Sequence, residues 1–292
     1  MWVPWQDRND KFAPAIGMHK LDPFYPISVR SFLKESCDLV WLKETTESGP
    51  VFEKFNEFPN AHIEQKLTFI QRKEINRPGR MARLDRHEGE VDMQQSARLQ
   101  REHPEQVYVR GFRHTETGEA YIIYWFFYVE NFVPRSLKDE VIDEMLETRP
   151  NSWWTHEGDW EGISVHFSNY QSNDPKEIVF SRHTSSTPIP YHQVNMYEGR
   201  IFALSALGTH ATYNKEVSKK RYAMFAEIAR GDRILVPSTH GAANSYKLVE
   251  LDPNGKHGWL NFRGRWGKGS SDLNPAPRGP LSKRKKHFVM RA

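Results

Sequence analysis

The sequence predicts a mainly β fold, a β-sandwich with a few peripheral helices, and three features point to it. Short runs rich in β-branched and aromatic residues follow one another between Val107 and Leu251. Turn residues such as Asn173-Asp174-Pro175 and Asp252-Pro253-Asn254-Gly255 separate them. Aromatics form 13% of the 292 residues, nine of them Trp, so large rings supply core area although hydrophobic residues reach only 38%.

The N-terminal segment carries Pro14, Pro23 and Pro26, and Ser28 then stands as N-cap of a helix from Val29 to Glu35. Residues 44 to 104 are charged, rich in Arg, Glu and Gln, and poorly periodic. They read as a long excursion, mobile in part, with one strand at Leu67 to Ile70. Val107 to Phe112 reads as a strand and Thr117-Gly118 as a turn. Ala120 to Val129 is apolar or aromatic on both faces, which predicts a central strand covered on both sides.

Ser136 is placed to cap a helix from Leu137 to Thr148, with Val141, Ile142, Met145 and Leu146 on one face and Pro150 as its stop. Further strands are predicted at Glu161 to Phe167, Glu177 to Ser181, Arg200 to Ser205, Arg233 to Pro237 and Tyr246 to Leu251. Ser218 to Ala229 reads as a helix ended by Gly231. Residues 1 to 266 are then a single domain, and 267 to 292 an extended basic tail.

Charge and cysteine content narrow the function. The net charge is +4, from 41 basic and 37 acidic residues, and much of the excess lies in Lys283-Arg284-Lys285-Lys286. A balanced body with a basic tail is not built as a specific nucleic-acid binder. A lone cysteine, Cys37, excludes an intrachain disulfide and fits a reducing compartment. No apolar run approaches the roughly 20 residues of a bilayer-spanning helix. Met1 to Lys11 does not read as a secretory signal, so cytoplasmic residence is the default expectation, with release or peripheral membrane association as the other routes.

The segment His156-Glu157-Gly158-Asp159-Trp160-Glu161 stands out. In a strand alternate residues share a face, so Asp159 and Glu161 continue the apolar face of Ile163, Val165 and Phe167. A buried carboxylate costs several kcal/mol, roughly, unless it is neutralised or bound to a cation. An arginine partner (Arg182 or Arg200), a shared proton or a metal would each meet that need. His156 beside two carboxylates forms a mixed N/O donor set for a divalent cation. Oxygen-rich coordination favours Mg²⁺ or Ca²⁺, with Mn²⁺ also suited, and a neutral imidazole admits Zn²⁺.

His183 and His210 follow strands that end on the same side. They suit head-group binding or acid/base work, or else simply fix a loop by hydrogen bonding. His240 and the His87-Glu88-Gly89-Glu90 echo of the acidic segment carry no comparable context, and Trp259 and Trp266 read as packing residues. Nothing marks a nucleophile: Cys37 lacks a motif and no Gly-x-Ser-x-Gly occurs.

Several stretches resemble the vacuolar protein sorting-associated protein 62 family. They are Pro26 to Leu33, Tyr124 to Tyr128, His156 to Gly162, Ser181-Arg182-His183, Ala206 to Tyr213 and Phe262 to Gly267. More distantly, His156-x-x-Asp159-Trp160-Glu161 is similar to the heptapeptide of the necrosis- and ethylene-inducing cytolysins. That resemblance implies a divalent cation on His156, Asp159 and Glu161, a further acidic ligand whose place falls near Glu130 and Asn131, and a sphingolipid-type head group as partner. The chain departs from those cytolysins in lacking their first histidine-arginine pair, secretion signal and cysteine pair, and in inserting a helix before the motif. The expectation is a metal-dependent protein that binds a lipid or glycolipid head group, membrane-interacting or toxin-like. A metal-dependent phosphodiester or glycoside hydrolase and a metal-free interaction scaffold are the alternatives.

Overall fold

The computed structural model describes residues 1–46, 49–54, 82–86, 105–142, 156–182, 186, 188–221, 225–238, 244–252, 257–262, 265–267 and 279–280. In chain order its elements are β1 (Trp2–Pro4), β2 (Ala15–Met18), α1 (Val29–Ser36), β3 (Cys37–Thr46), β4 (Gly49–Lys54), β5 (Ala82–Arg86), β6 (Gln106–His114) and β7 (Ala120–Asn131). There follow β8 (His156–Phe167), β9 (Glu177–Phe180), β10 (Pro188–Pro190), β11 (Met196–Tyr197), β12 (Arg200–Ser205), β13 (Thr212–Tyr213), β14 (Val217–Arg221), β15 (Phe225–Ala229), β16 (Arg233–Pro237) and β17 (Ser245–Glu250).

The protein is mainly β. One twelve-stranded sheet runs β10-β9-β8-β7-β6-β17-β16-β2-β12-β11, with β1 on β6 and β13 on β12. The sheet curls, bringing the β7–β8 half over the β2–β12 half. Side chains bridge the two halves: the Tyr124 hydroxyl donates to Asn9 O at 2.6 Å, and the Tyr128 hydroxyl shares a 3.1 Å hydrogen bond with Ser205 Oγ. The long aromatic run of β7 is covered on both sides, as its composition predicts; Ile122 through Val129 are all fully buried.

The outer face of β7 and β8 is roofed by other chain segments. Phe32 of α1 packs edge-on against Phe127 at 4.9 Å, and Trp160 stacks on Trp259 at 5.8 Å. α1 lies where predicted, and its first N–H is taken by the Tyr108 hydroxyl at 2.8 Å. The strands expected from Val107 to Phe112, at Glu177 and Tyr246, and over Arg200–Ser205 and Arg233–Pro237, are all present.

Two expectations need correction. Residues 218–221 and 225–229 are not helical but lie in the antiparallel pair β14–β15, a separate two-stranded sheet. The backbone of β15 bonds to other segments, Leu207 N–H to Ile228 O at 2.7 Å and Ala226 N–H to Pro134 O at 2.7 Å. Tertiary pairing overrides the helical propensity of the Lys residues of β14 and the Ala and Glu residues of β15. The charged stretch from residue 44 also contains structure, because β3, β4 and β5 form a three-stranded sheet.

The strand expected at Leu67 to Ile70 lies outside the described residues. So does most of the helix expected after Ser136, of which Asp139 to Ile142 are helical. Of the expected tail, Gly279 and Pro280 are buried, with Gly279 against the Trp266 indole. Among the described residues no helix is long and apolar enough to cross a membrane.

Candidate functional site at the end of the β7–β8 ribbon

The acidic segment forms the first half of β8. Its antiparallel register with β7 sets Phe126 opposite Glu161, Phe127 opposite Trp160, Tyr128 opposite Asp159, Glu130 opposite Glu157 and Asn131 opposite His156. Opposed residues share a face. Asp159, Glu161 and Tyr128 therefore point into the curl of the sheet, while Trp160 and Phe127 point outward. The carboxylates are buried as the alternation implied, with Asp159 4% and Glu161 8% exposed.

His210 meets them from the turn after β12. Gly208 (φ 67) and His210 (φ 51) both adopt left-handed backbone. A Cβ at position 208 would run into the Phe132 ring, so glycine is required there. The turn is closed by His210 N–H donating to Ala206 O at 2.8 Å, and its start is tied to β7's exit by Phe132 N–H donating to Gly208 O at 2.9 Å. The fully buried imidazole lies flat on the Tyr128 ring, centroids 3.8 Å apart and planes 2° from parallel.

Its Nδ1 is 3.3 Å from Asp159 Oδ2, and its Nε2 is 3.7 Å from Asp22 Oδ2. Burial by itself pulls the imidazole's pKa down, but the Asp22 and Asp159 carboxylates outweigh burial and raise it to about 9. At neutral pH His210 is thus an imidazolium that donates to Asp159 and faces Asp22.

Sequence reasoning missed Asp22 altogether. Its Oδ1 accepts the Phe24 N–H at 3.1 Å, an Asx turn around Pro23, and its Oδ2 accepts the Gly208 N–H at 3.1 Å. Asp-Pro is a turn signal, but nothing local could reveal a partner 186 positions away. In the sequence Tyr128 stands out as part of an aromatic strand and of the family-like Tyr124-to-Tyr128 stretch, not as a partner of His210. Its hydroxyl is pushed well above the usual phenol range by burial, and it forms the floor on which His210 rests.

The other predicted residues fall around this core. His156 is half-buried, with Nδ1 3.4 Å from Glu157 O. Burial lowers its pKa against the opposing pull of Asp159, and charged His210 lowers it further, so His156 is neutral where His210 is charged. Gly158 (φ 57) breaks the strand pleat between His156 and Asp159, so simple alternation does not apply across it. Glu130 is half-buried opposite Glu157, and Asn131 is buried opposite His156. His183 lies outside the described residues. Arg200, one of the arginines considered for the carboxylates, instead donates to the carbonyls of Asp10 and Ala13 at 3.4 and 3.3 Å. Arg182 lies over the Tyr213 ring at 4.9 Å.

In donor chemistry the residues fit a divalent cation, because a neutral imidazole and two carboxylates are the usual mixed N/O set. In arrangement, among the described residues, no three His, Cys, Asp or Glu side chains lie close enough together to hold a metal ion. One hydrogen-bonded chain has the form of a nucleophile relay: Ser164 Oγ to His166 Nε2 at 2.8 Å, and His166 Nδ1 to Glu177 Oε1 at 3.2 Å. The chain ties β8 to β9, with the fully buried Ser164 hydroxyl held by His166.

The family model described as Vacuolar protein sorting-associated protein 62 matches residues 9–269, nearly the whole chain. The protein belongs to that family. Comparison with curated proteins gives no match. Among solved structures, NLPPya in complex with mannosamine is similar at 16% identity and a TM-score of 0.28, over 50% of this chain and 50% of that one. Necrosis and Ethylene inducing Protein 2, from the causal agent of cocoa's Witches Broom disease, is similar at 14% identity and a TM-score of 0.30, over 50% of each chain. The non-toxic HaNLP3 protein follows at 12% identity and 0.27, over 51% of this chain and 52% of that one. The alignment thus spans about half the length of these proteins.

Proposed function

We propose that this family member binds a polar ligand, a lipid or glycolipid head group, at the end of the sheet where Asp22, Tyr128, His156, Asp159, Glu161 and His210 gather. A divalent cation assists it only where ligand binding draws His156, Asp159 and Glu161, the residues that would hold the ion, closer together than they stand in the structure. Mg²⁺ or Ca²⁺ suits the carboxylates best, and Mn²⁺ or Zn²⁺ is compatible with the imidazole. When bound, the ion supplies positive charge for the oxygens of a head group. His210 fixes the Asp159 carboxylate, Tyr128 holds the His210 ring in plane, and Asp22 closes the turn that carries it. Engagement of this kind makes the protein a membrane-interacting, toxin-like effector.

The observation that carries the reading is the burial of Asp22, Asp159 and Glu161 around the stacked His210 and Tyr128 rings, with half-buried His156 beside them. Stability alone would favour apolar side chains there, and such clusters of perturbed groups mark functional sites. Vesicle flotation tests it, with phosphatidylcholine vesicles doped separately with anionic phospholipid and with glycosylated sphingolipid. The protein should float with one of these classes, sink when chelator is added, and sink as an Asp159→Asn variant. Failure to float with every composition would overturn the proposal.

One observation favours a metal-free version. The His210 imidazolium already places a positive charge between Asp22 and Asp159. In that version flotation survives chelator but is lost in His210→Gln.

A further inference from the structure

Two glycines key the acidic strand and the C-terminal segment into each other, and the binding function described above uses neither. Gly158 sits at φ 57, and a Cβ there would fall on the carbonyl oxygen of Trp266. Gly267 sits at φ 150, and a Cβ there would strike the Cβ and carbonyl of Glu157. Each segment presents a glycine where the other's backbone lies. A side chain at either position would force the two apart. Glycine weakens a strand interior and is retained where another backbone approaches closely.

The Trp266 ring extends this lock to the site. It is fully buried and meets Trp160 edge-on at 5.3 Å, Phe127 at 5.6 Å and Trp259 at 5.7 Å. Trp160 lies between Asp159 and Glu161 in the chain, with its ring on the opposite face. Displacing Trp266 therefore moves the backbone from which both carboxylates project. Behind Trp266 lies Gly279, where a Cβ would meet the indole Nε1. Interiors are packed too densely for such a shift to be absorbed locally.

We propose that residues 265–267, backed by Gly279, position the site: they fix the His156-to-Glu161 half of β8 and thereby the hydrogen bond between Asp159 and His210. The proposal takes the identity of the site from the function above, but its test needs no ligand. It also accounts for the Arg265-Trp266-Gly267 and His156-to-Glu161 motifs as one interlocked unit.

The full-length chain, with ¹⁵N-labelled histidine, is compared by NMR as wild type, Gly158→Ala, Gly267→Ala, Gly279→Ala and Gly199→Ala. Gly199 is the control, because at φ 76 it has nothing within 4 Å of a Cβ, so alanine there adds backbone strain without collision. Each variant is measured below its own melting midpoint. The His210 ring resonances should move strongly in Gly158→Ala and Gly267→Ala, less in Gly279→Ala, and stay at the wild-type position in Gly199→Ala. Lowered melting temperatures with His210 resonances unchanged in Gly158→Ala and Gly279→Ala would overturn the proposal. If Gly158→Ala does not fold, Gly279→Ala decides, because the collision there is with the Trp266 ring and not with the backbone of β8 or of its partner segment. Vesicle flotation of the wild type is scored separately, so failure of the head-group reading leaves this result standing.

Discussion

Asp159 and Trp160 are neighbours in β8 and both are buried, yet the two faces they occupy are held by different means. Trp160 is surrounded by Phe127, Trp259 and Trp266 at centroid distances from 4.8 to 5.8 Å. That packing is non-directional, spread over many weak contacts, and tolerant of which ring sits where. Asp159 depends on directed contacts from distant segments: His210 from the turn after β12, the Asp22 turn behind it, and Tyr128 beneath. The aromatic face holds the ribbon together. The acidic face gives up some of that stability for a set of charges in a fixed geometry.

Substitutions on the two faces should separate these roles. Trp160→Ala removes the centre of the ring cluster and should cost about 4 kcal/mol in urea unfolding. Asp159→Asn should cost less, about 2 kcal/mol, because His210 can shed its proton and Asp22 remains beside it. Its distinctive effect is chemical: the His210 pKa should fall from about 9 towards its ordinary value, as read by ¹⁵N NMR titration. A His210 pKa that stayed high in Asp159→Asn would show that Asp22 alone sets the charge.

Stability should follow pH in a way the aromatic face cannot produce. His210 is raised from 6.5 to about 9, so its stabilisation is full below the unfolded value near 6.5 and is lost as pH rises through about 9. His156 is lowered, so its contribution is present above 6.5 and is lost as pH falls below it. Unfolding free energies from urea titration should therefore decline between pH 6.5 and 9 in the wild type, by on the order of 2 kcal/mol, and this decline should flatten in His210→Gln. The smallest effect is expected for Tyr128→Phe. It keeps the stacked ring but removes the hydroxyl shared with Ser205, for about 1 kcal/mol.

The same contrast explains what the sequence made legible. Alternation and aromatic runs located β6, β7, β8, β12 and β16 and put Asp159 and Glu161 on a buried face, because strand periodicity is a local property. The β14–β15 pair reads as helix because its Lys, Ala and Glu residues favour helix locally, whereas the contacts that make it β come from Pro134 and Leu207. Asp22 was invisible for a related reason: a residue in a proline turn shows its turn chemistry but not the histidine it will face. His210 was picked out by its motif, whereas its role as the charged centre depends on two carboxylates from elsewhere in the chain.

The claim that the buried acidic end of β8 is a binding site, rather than packing, is tested most directly by following the histidine ring resonances during ligand addition. Ca²⁺ is titrated into the wild-type protein first, and vesicles of the composition that supports flotation are added afterwards. The His156 and His210 signals should move saturably while those of His19 and His166 stay in place. If neither the ion nor the vesicles moves the His156 and His210 signals, the acidic end is structural and the proposed function is wrong.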